Sequence, residues 1–189
     1  MARTYVLKKR AEQQAETRKR IVEAAVELHS AIGPAATTLS MIAQKAGVQR
    51  HTLYSHFPDE RSIFMACSGL AYERDPMPTS DTWGGIADQT DRLTAGLTAI
   101  YEWYGRNESL LGNVMRDAAH HPIVQEIQKL RAAPIVKSWH EVLGADLNAT
   151  KRVMLHLALS FHTWRSLVRE GGLDTGAAVA TMVASIKGA

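Results

Sequence analysis

The stretch from Thr37 to Phe64 constrains the fold of this chain more than any other feature. It reads TTLSMIAQKAGVQRHTLYSHFPDERSIF. Its first half places apolar residues, among them Leu39 and Ile42, at the spacing of one helix face. Thr38 precedes that helix and is suited to capping its N-terminus. Gly47 predicts its end, because glycine adopts the left-handed backbone conformation without steric cost.

A second short helix must begin almost at once, and we place it from about Gln49 to Phe57. Leu53 and Phe57 are four residues apart and therefore face the same way, toward the first helix. The opposite side carries polar residues: His51, Thr52 and Ser55, with Tyr54 on a flank. Two helices around a glycine turn, the second with a polar outer face, predict a helix-turn-helix whose second helix enters a DNA major groove.

The run AGVQRHTLYSHFPDERSIF, behind a long amphipathic helix, resembles the DNA-binding domain of the tetracycline-repressor (TetR) family of bacterial transcription regulators. The matching residues are Thr38, Ile42, Ala43, Ala46, Gly47, Val48, Thr52, Leu53, Tyr54, His56 and Phe57. The resemblance covers about the first 65 residues. It implies an all-α fold with an N-terminal three-helix DNA-binding domain and a C-terminal helical domain for ligand binding and dimerisation.

Three positions depart from the family pattern. Gln49 stands where members often have a capping Ser, and His51 where they have a small residue or proline. Glu60 occupies a position that commonly holds a phosphate-binding Lys, and a carboxylate there would repel a phosphate. Whether the neighbouring Arg61 takes over that role stays open, because one residue turns about 100° around a helix.

The polar face of the second helix supplies the predicted base contacts. Arg50 can read guanine through two hydrogen bonds if it reaches the groove. The predicted base-proximal residues are Arg50, His51, Thr52 and Ser55, and Gln49 is also predicted to contact DNA. The predicted phosphate contacts are Thr38, Ser40, Tyr54, His56 and an N-terminal arm with Lys8, Lys9 and Arg10.

The charge distribution agrees with this prediction. Residues 1–65 contain ten Lys and Arg against six Asp and Glu, whereas the remainder contains twelve against thirteen. The positive excess therefore lies in the segment predicted to bind DNA, where counterion release requires it. A solvated surface is the alternative interpretation of Lys8, Lys9 and Arg10 taken alone.

A proline-rich break near Asp75 divides the chain into two predicted domains. We assign residues 1–10 to a basic arm, 11–75 to the helix-turn-helix domain and 76–189 to the ligand-binding and dimerisation domain. The first helix is expected at about 12–31. Later helices are expected at about 81–104, 108–119, 122–143, 149–170 and 174–186.

The resemblance implies that the last two helices pack against their copies in a homodimer; core packing within one chain is the alternative. A dimer would place two reading helices about one DNA turn apart. A cavity for a small-molecule effector is expected in the C-terminal domain. Its predicted lining residues are Trp103, Met115 and Phe161, although aromatic residues at helical spacing also serve as core.

The sequence contains no motif of an enzyme, cofactor site or metal site, and no segment long enough to span a membrane. We therefore expect a cytoplasmic protein without a cofactor, in which the single cysteine, Cys67, is a core residue. The predicted function is a repressor that binds a palindromic DNA operator and is released by a small molecule. The alternatives are an activator or a partner-regulated DNA-binding protein, and, from another class, a small helical enzyme or a dimerisation module without DNA binding.

Overall fold

Helices form the whole architecture. The computed structural model describes the backbone of residues 2–189 and the side chains of residues 7–189, and it contains no strand in that range. The helices are α1 Ala2–Ile32, α2 Leu39–Lys45, α3 Arg50–His56, α4 Glu60–Arg74, α5 Gln89–Arg106, α6 Glu108–Ala118, α7 Pro122–Leu143, α8 Ala149–Ala158, α9 Phe161–Arg165 and α10 Thr175–Gly188. The prediction of an all-α chain is confirmed. None of the helices described has both the length and the apolar character needed to cross a bilayer.

The chain divides into two compact units. The first contains the residues up to Pro76 together with Gly112–Ile127, and the second contains Met77–Leu111 and Gln128–Ala189. The break near Asp75 marks the loop where the chain leaves the first unit. Gly112–Ile127 also belongs to the first unit, whereas the predicted division placed all residues from 76 onward in the second domain. Composition indicates where loops lie, but it does not indicate which distant segments pack together.

Helix α1 begins at Ala2, earlier than the predicted start near Glu12. Residues 2–31 contain neither glycine nor proline and are rich in Ala, Lys, Arg, Gln and Glu, which all favour helix. The predicted basic arm is therefore the first part of a helix. Lys8, Lys9 and Arg10 are exposed on it.

Two later helices also differ from the prediction. Helix α5 begins at Gln89, after Asp88 accepts a hydrogen bond from the Asp91 backbone N–H, and the preceding residues form a 3-10 turn at Ser80–Thr82. The predicted 149–170 helix is interrupted before Ser160, which caps α9, and it ends in a π-helical turn at Ser166–Glu170. Helix α7 spans Pro122–Leu143 as predicted and is not split at Pro134.

The core of the first unit joins α1, α2, α3 and α4. Its fully buried members include Ile21, Ile42, Leu53, Phe57 and Ile63, each at most 1% exposed. Cys67 is buried among them. The second unit has a core of its own around Trp139 and Trp164, which are 0% and 1% exposed. Each unit therefore has an apolar interior that its own helices enclose.

His29 lies in the interior of the first unit in an apolar setting. It is 4% exposed and its ring meets the Phe64 ring edge-on, with 4.9 Å between centroids. Its Nδ1 lies 3.4 Å from the Cys67 Sγ, and its Nε2 has no hydrogen-bond partner among the residues described. Desolvation lowers the His29 pKa to about 4, opposed by Asp117 and reinforced by His121. The imidazole is therefore neutral at physiological pH.

This buried imidazole predicts an acid-labile first unit. Because the folded-state pKa is below the unfolded value of about 6.5, the stability that neutral His29 maintains is complete above pH 6.5 and is lost as the pH falls toward 4. The free energy of unfolding of the wild type should fall between pH 7 and pH 4.5. In His29→Gln, which has no titrating imidazole at this position, we expect this fall to be about 2 kcal/mol smaller. Urea unfolding followed by circular dichroism at both pH values measures the difference. Equal losses in the two proteins would contradict the assignment.

Candidate nucleic-acid interface

Helix α2 begins where its cap predicts. Thr38 accepts a hydrogen bond from the Met41 backbone N–H at 3.2 Å, which satisfies one of the free donors of the first turn. Thr37 is buried, and its hydroxyl donates to the Gly33 carbonyl at 2.7 Å. Ser40 is exposed beside these caps. The start of α2 is therefore fixed by two adjacent threonines with different roles.

The turn between α2 and α3 depends on Gly47. This residue has a φ of +65°, a conformation that side chains with a Cβ seldom adopt. Its N–H donates to the Gln44 carbonyl at 3.1 Å, and the Val48 N–H donates to the Ala43 carbonyl at 2.9 Å. The chain thereby leaves α2 and enters α3 within a few residues, as the sequence predicts.

Helix α3 is a single short element with one buried side and one exposed side. Leu53 and Phe57, at 1% and 0% exposed, anchor it to the core of the first unit. Gln49 occupies the N-cap without a side-chain hydrogen bond to the helix, as expected of a residue that caps poorly. Phe57 closes the other end by donating its N–H to the Leu53 carbonyl.

The structure brings the predicted base-proximal residues onto one outward surface. Gln49, Arg50, His51 and Ser55 are exposed, and Thr52 is half-buried. Ser55 donates its hydroxyl to the Thr52 carbonyl at 2.7 Å, and the His51 Nε2 lies 3.3 Å from the Thr52 hydroxyl. We call this surface, formed by residues 49, 50, 51, 52 and 55, the reading face.

Two of the predicted phosphate-binding residues, Tyr54 and His56, lie on α3 next to the reading face. Tyr54 is 41% exposed, and its hydroxyl accepts a 3.4 Å hydrogen bond from Arg50 Nη2. The two residues are four positions apart, so this contact joins side chains on neighbouring turns of α3. His56 is half-buried at the end of α3. DNA contacts by these residues stay predictions.

Arg61 forms an ion pair with the carboxylate of Glu126. It donates to the same oxygen of Glu126, Oε1, from Nε at 2.9 Å and from Nη2 at 2.6 Å. The hydrogen bond raises the pKa of Arg61 and lowers that of Glu126. Glu60 lies 4.0 Å from the Nε2 of His121. The structure therefore gives no support to Arg61 as a replacement for the phosphate-binding Lys that is common in the TetR family.

Two arginines of α1 that were not among the predicted site residues reach the helix-turn-helix. Arg18 donates to the His56 carbonyl, and Arg20 donates to the Ala46 carbonyl, each at 3.0 Å. The sequence feature that could have indicated these contacts is the position of both arginines shortly before the core residue Ile21. This position places them near the helices that pack against α1.

The predicted effector-site residues are distributed over both units. Trp103 and Phe161 are buried in the second unit, and each ring packs near the ring of Tyr104, with centroids 5.7 and 5.5 Å away. Met115 lies on the part of α6 that belongs to the first unit. Their role in ligand binding stays a prediction.

A different concavity lies on the second unit, between α5 and α10. This open groove has a volume of about 500 Å³. Its lining consists of Thr90, Thr94, Thr98, Gly176, Val179, Ala180, Val183, Ala184 and Lys187. Lys187 donates to the Thr90 hydroxyl at 2.9 Å at one end. Within the described residues no group of three or more His, Cys, Asp or Glu side chains could hold a metal ion.

Comparison with known proteins agrees with this geometry. Residues 21–67 match the model of the family described as bacterial regulatory proteins, tetR family. The HTH-type transcriptional regulator SrpR of Pseudomonas putida is 40% identical over 70 residues, covering 37% of this chain and 32% of SrpR. The HTH-type transcriptional repressor KstR of Mycolicibacterium smegmatis is 30% identical over 116 residues, covering 61% of this chain and 50% of KstR. The matched region thus spans about a third to a half of these relatives' own lengths.

Solved structures extend the likeness to the fold of the whole chain. The transcriptional regulator FadR of Bacillus subtilis, crystallised with stearoyl-CoA, superposes with a TM-score of 0.58 at 19% identity, covering 89% of this chain and 96% of FadR. At this identity the likeness concerns fold alone. The family match coincides with α2, the Gly47 turn and α3, the elements that form the reading face. The segment that contains the helix-turn-helix, residues 21–67, therefore matches the tetR family of bacterial regulatory proteins.

Proposed function

We propose that this protein is a DNA-binding transcriptional repressor that occupies a near-palindromic operator as a homodimer and leaves it when a small molecule binds. The observation that carries the proposal is helix α3, which is anchored by buried Leu53 and Phe57 and presents Arg50, His51 and Ser55 to solvent. TetR-family proteins are transcriptional regulators and not enzymes. The protein would act in the cytoplasm, where a bacterial chromosome lies.

Electrostatics support the choice of a nucleic acid as partner. Lys8, Lys9 and Arg10 are exposed on α1, and Arg50 is exposed on α3. Neutralising phosphates with such side chains releases condensed counterions, which supplies much of the affinity for any duplex. The reading face then adds sequence discrimination through base edges.

Two features of the second unit support the homodimer. Val153 and Leu157 lie one turn apart on α8 and are 62% and 47% exposed, which leaves an apolar ridge uncovered. On α10, Gly176, Ala180 and Ala184 line the groove with small side chains. A two-fold dimer would cover both surfaces, because each copy offers the same patch to the other.

The repressor assignment and the effector rest on the relatives. KstR is named a transcriptional repressor, and the FadR structure contains stearoyl-CoA. By analogy, a small molecule bound in the second unit, where the predicted lining residues Trp103 and Phe161 lie, would favour a dimer with a different spacing of the two reading faces. The ligand can shift that equilibrium only by its difference in affinity for the two forms.

Titration of a labelled duplex DNA with the full-length protein at low salt tests the DNA-binding class. We expect binding whose logarithmic affinity falls linearly with the logarithm of salt concentration, because phosphate contacts release counterions. Absence of binding to any duplex at low salt would favour a dimerisation module instead.

Lys9→Ala tests whether the start of α1 contacts phosphates. Because a phosphate contact is independent of sequence, the variant should bind every duplex more weakly to the same extent and lower the salt slope by about one. Fluorescence anisotropy across a salt series measures both quantities. Lys129→Ala, which removes an exposed lysine from the second unit, is the matched control and should keep the wild-type slope. An unchanged slope in Lys9→Ala would remove α1 from the interface.

A further inference from the structure

The C-terminal ends of both helices of the helix-turn-helix are held by arginines of α1. Arg20 donates from Nη1 to the Ala46 carbonyl, which is the C-cap residue of α2, at 3.0 Å. Arg18 donates from Nη1 to the His56 carbonyl, the last residue of α3, at 3.0 Å. The two arginines are two residues apart on α1, and each reaches a different helix end.

Arg18 makes a second contact with the same end of α3. Its guanidinium carbon lies 4.1 Å from the centre of the Phe57 ring, within the range of a cation–π interaction. Phe57 is fully buried and directly follows α3. One side chain of α1 therefore contacts both the final carbonyl of α3 and the aromatic residue that anchors it.

The physical chemistry of helix ends explains why these contacts matter. The last carbonyls of a helix have no partner within it, and the end carries partial negative charge, so a cation placed there is stabilising. Helix α3 has only seven residues, a length at which an isolated helix is not stable in water. Its orientation must therefore come from contacts with the rest of the first unit.

We propose that Arg18 is a positioning residue that fixes the orientation of α3, and with it the reading face, by holding the C-terminal end of that helix. Arg20 does the same for α2. This inference rests on the proposed DNA-binding function, because a fixed reading face matters only to a protein that reads bases. Arg18 acts through His56 and Phe57 and touches no base itself.

The test compares Arg18→Ala and Arg18→Lys with Lys19→Ala in the full-length protein. Lys19 is the exposed neighbour of Arg18 on α1. Its replacement removes one positive charge and leaves the contacts between Arg18 and α3 in place. Hydrogen exchange of the Leu53 and Phe57 amides, which donate to the Gln49 and Leu53 carbonyls, reports the order of α3 without any DNA. We expect Arg18→Ala to accelerate their exchange about tenfold, while Lys19→Ala leaves it unchanged.

DNA binding supplies the second measurement. Arg18→Ala should weaken binding to a selected operator about tenfold and keep the wild-type salt slope, because Arg18 neutralises no phosphate. Arg18→Lys retains a charge and a donor for the His56 carbonyl and should recover affinity to within about threefold of the wild type.

Four results would overturn the proposal. These are unchanged exchange in α3, exchange accelerated equally in α4, a salt slope lowered by about one, or no recovery by Lys. Equal acceleration in α4 would indicate a general loss of stability, and a lower slope would indicate a phosphate contact. If the wild type binds no duplex, the DNA-binding proposal fails, whereas the exchange data still decide whether Arg18 orders α3.

Discussion

Leu157→Asp is expected to convert the protein from a dimer to a monomer and to abolish tight operator binding. Leu157 is 47% exposed on α8, one turn from Val153, so the proposed interface would bury an apolar residue there. A two-fold interface uses each residue twice, and an aspartate in it places two unpaired carboxylates in an apolar environment. The expected loss of dimer stability is at least about 4 kcal/mol, or roughly a thousandfold in the dissociation constant.

Sedimentation equilibrium measures the dimer, and anisotropy with the selected operator measures its consequence. Leu130→Asp is the matched control. Leu130 is 55% exposed on α7, also in the second unit, but lies outside α8 and α10. We expect this variant to remain dimeric. A dimeric Leu157→Asp protein, or dissociation of both variants to the same extent, would refute the assignment of the interface to α8 and α10.

Arg50→Ala should weaken binding to the operator by about 1 to 3 kcal/mol and relax discrimination at one base pair. Arg50 is exposed at the start of α3, and its Nη2 donates to the Tyr54 hydroxyl at 3.4 Å. The Tyr54 hydroxyl therefore contacts the Arg50 guanidinium on the reading face. Affinities for the operator and for its single-base-pair variants measure the effect.

Two further variants distinguish the recognition of a base by Arg50 from the effect of its positive charge on DNA affinity. Arg50→Lys keeps the positive charge but loses the planar fork, so it should retain affinity for unrelated duplexes and still lose discrimination at the same base pair. Arg165→Ala removes an exposed arginine from the second unit and should leave operator affinity unchanged. A loss in Arg50→Ala that is equal for every duplex would reassign Arg50 to the phosphate backbone.

Features set by neighbouring residues could be predicted from the sequence. Thr38 caps α2 as expected, and Gly47 has the left-handed conformation that the turn requires. The interior positions of Leu53 and Phe57 follow from their helical spacing. In each case, a few adjacent residues determine the local hydrogen bonds or the buried face.

Features that depend on distant contacts could not be predicted in this way. The Asp117 carboxylate accepts a hydrogen bond from the Ala35 backbone N–H at 2.8 Å, and Asn113 donates to the Ser30 carbonyl, also at 2.8 Å. These contacts tie Gly112–Ile127 into the first unit, although more than 80 residues separate the partners. Local spacing carries no information about such pairs.

Selection of operators from a random duplex library by the full-length protein tests the central claim most directly. A homodimer that presents two reading faces should recover sites with an inverted repeat whose half-sites lie about one helical turn, roughly 10 base pairs, apart. Arg50→Ala should recover the same repeat with one position of each half-site relaxed. Recovery of no sequence preference, or of a single unrepeated motif, would contradict the account of a dimeric DNA-reading regulator.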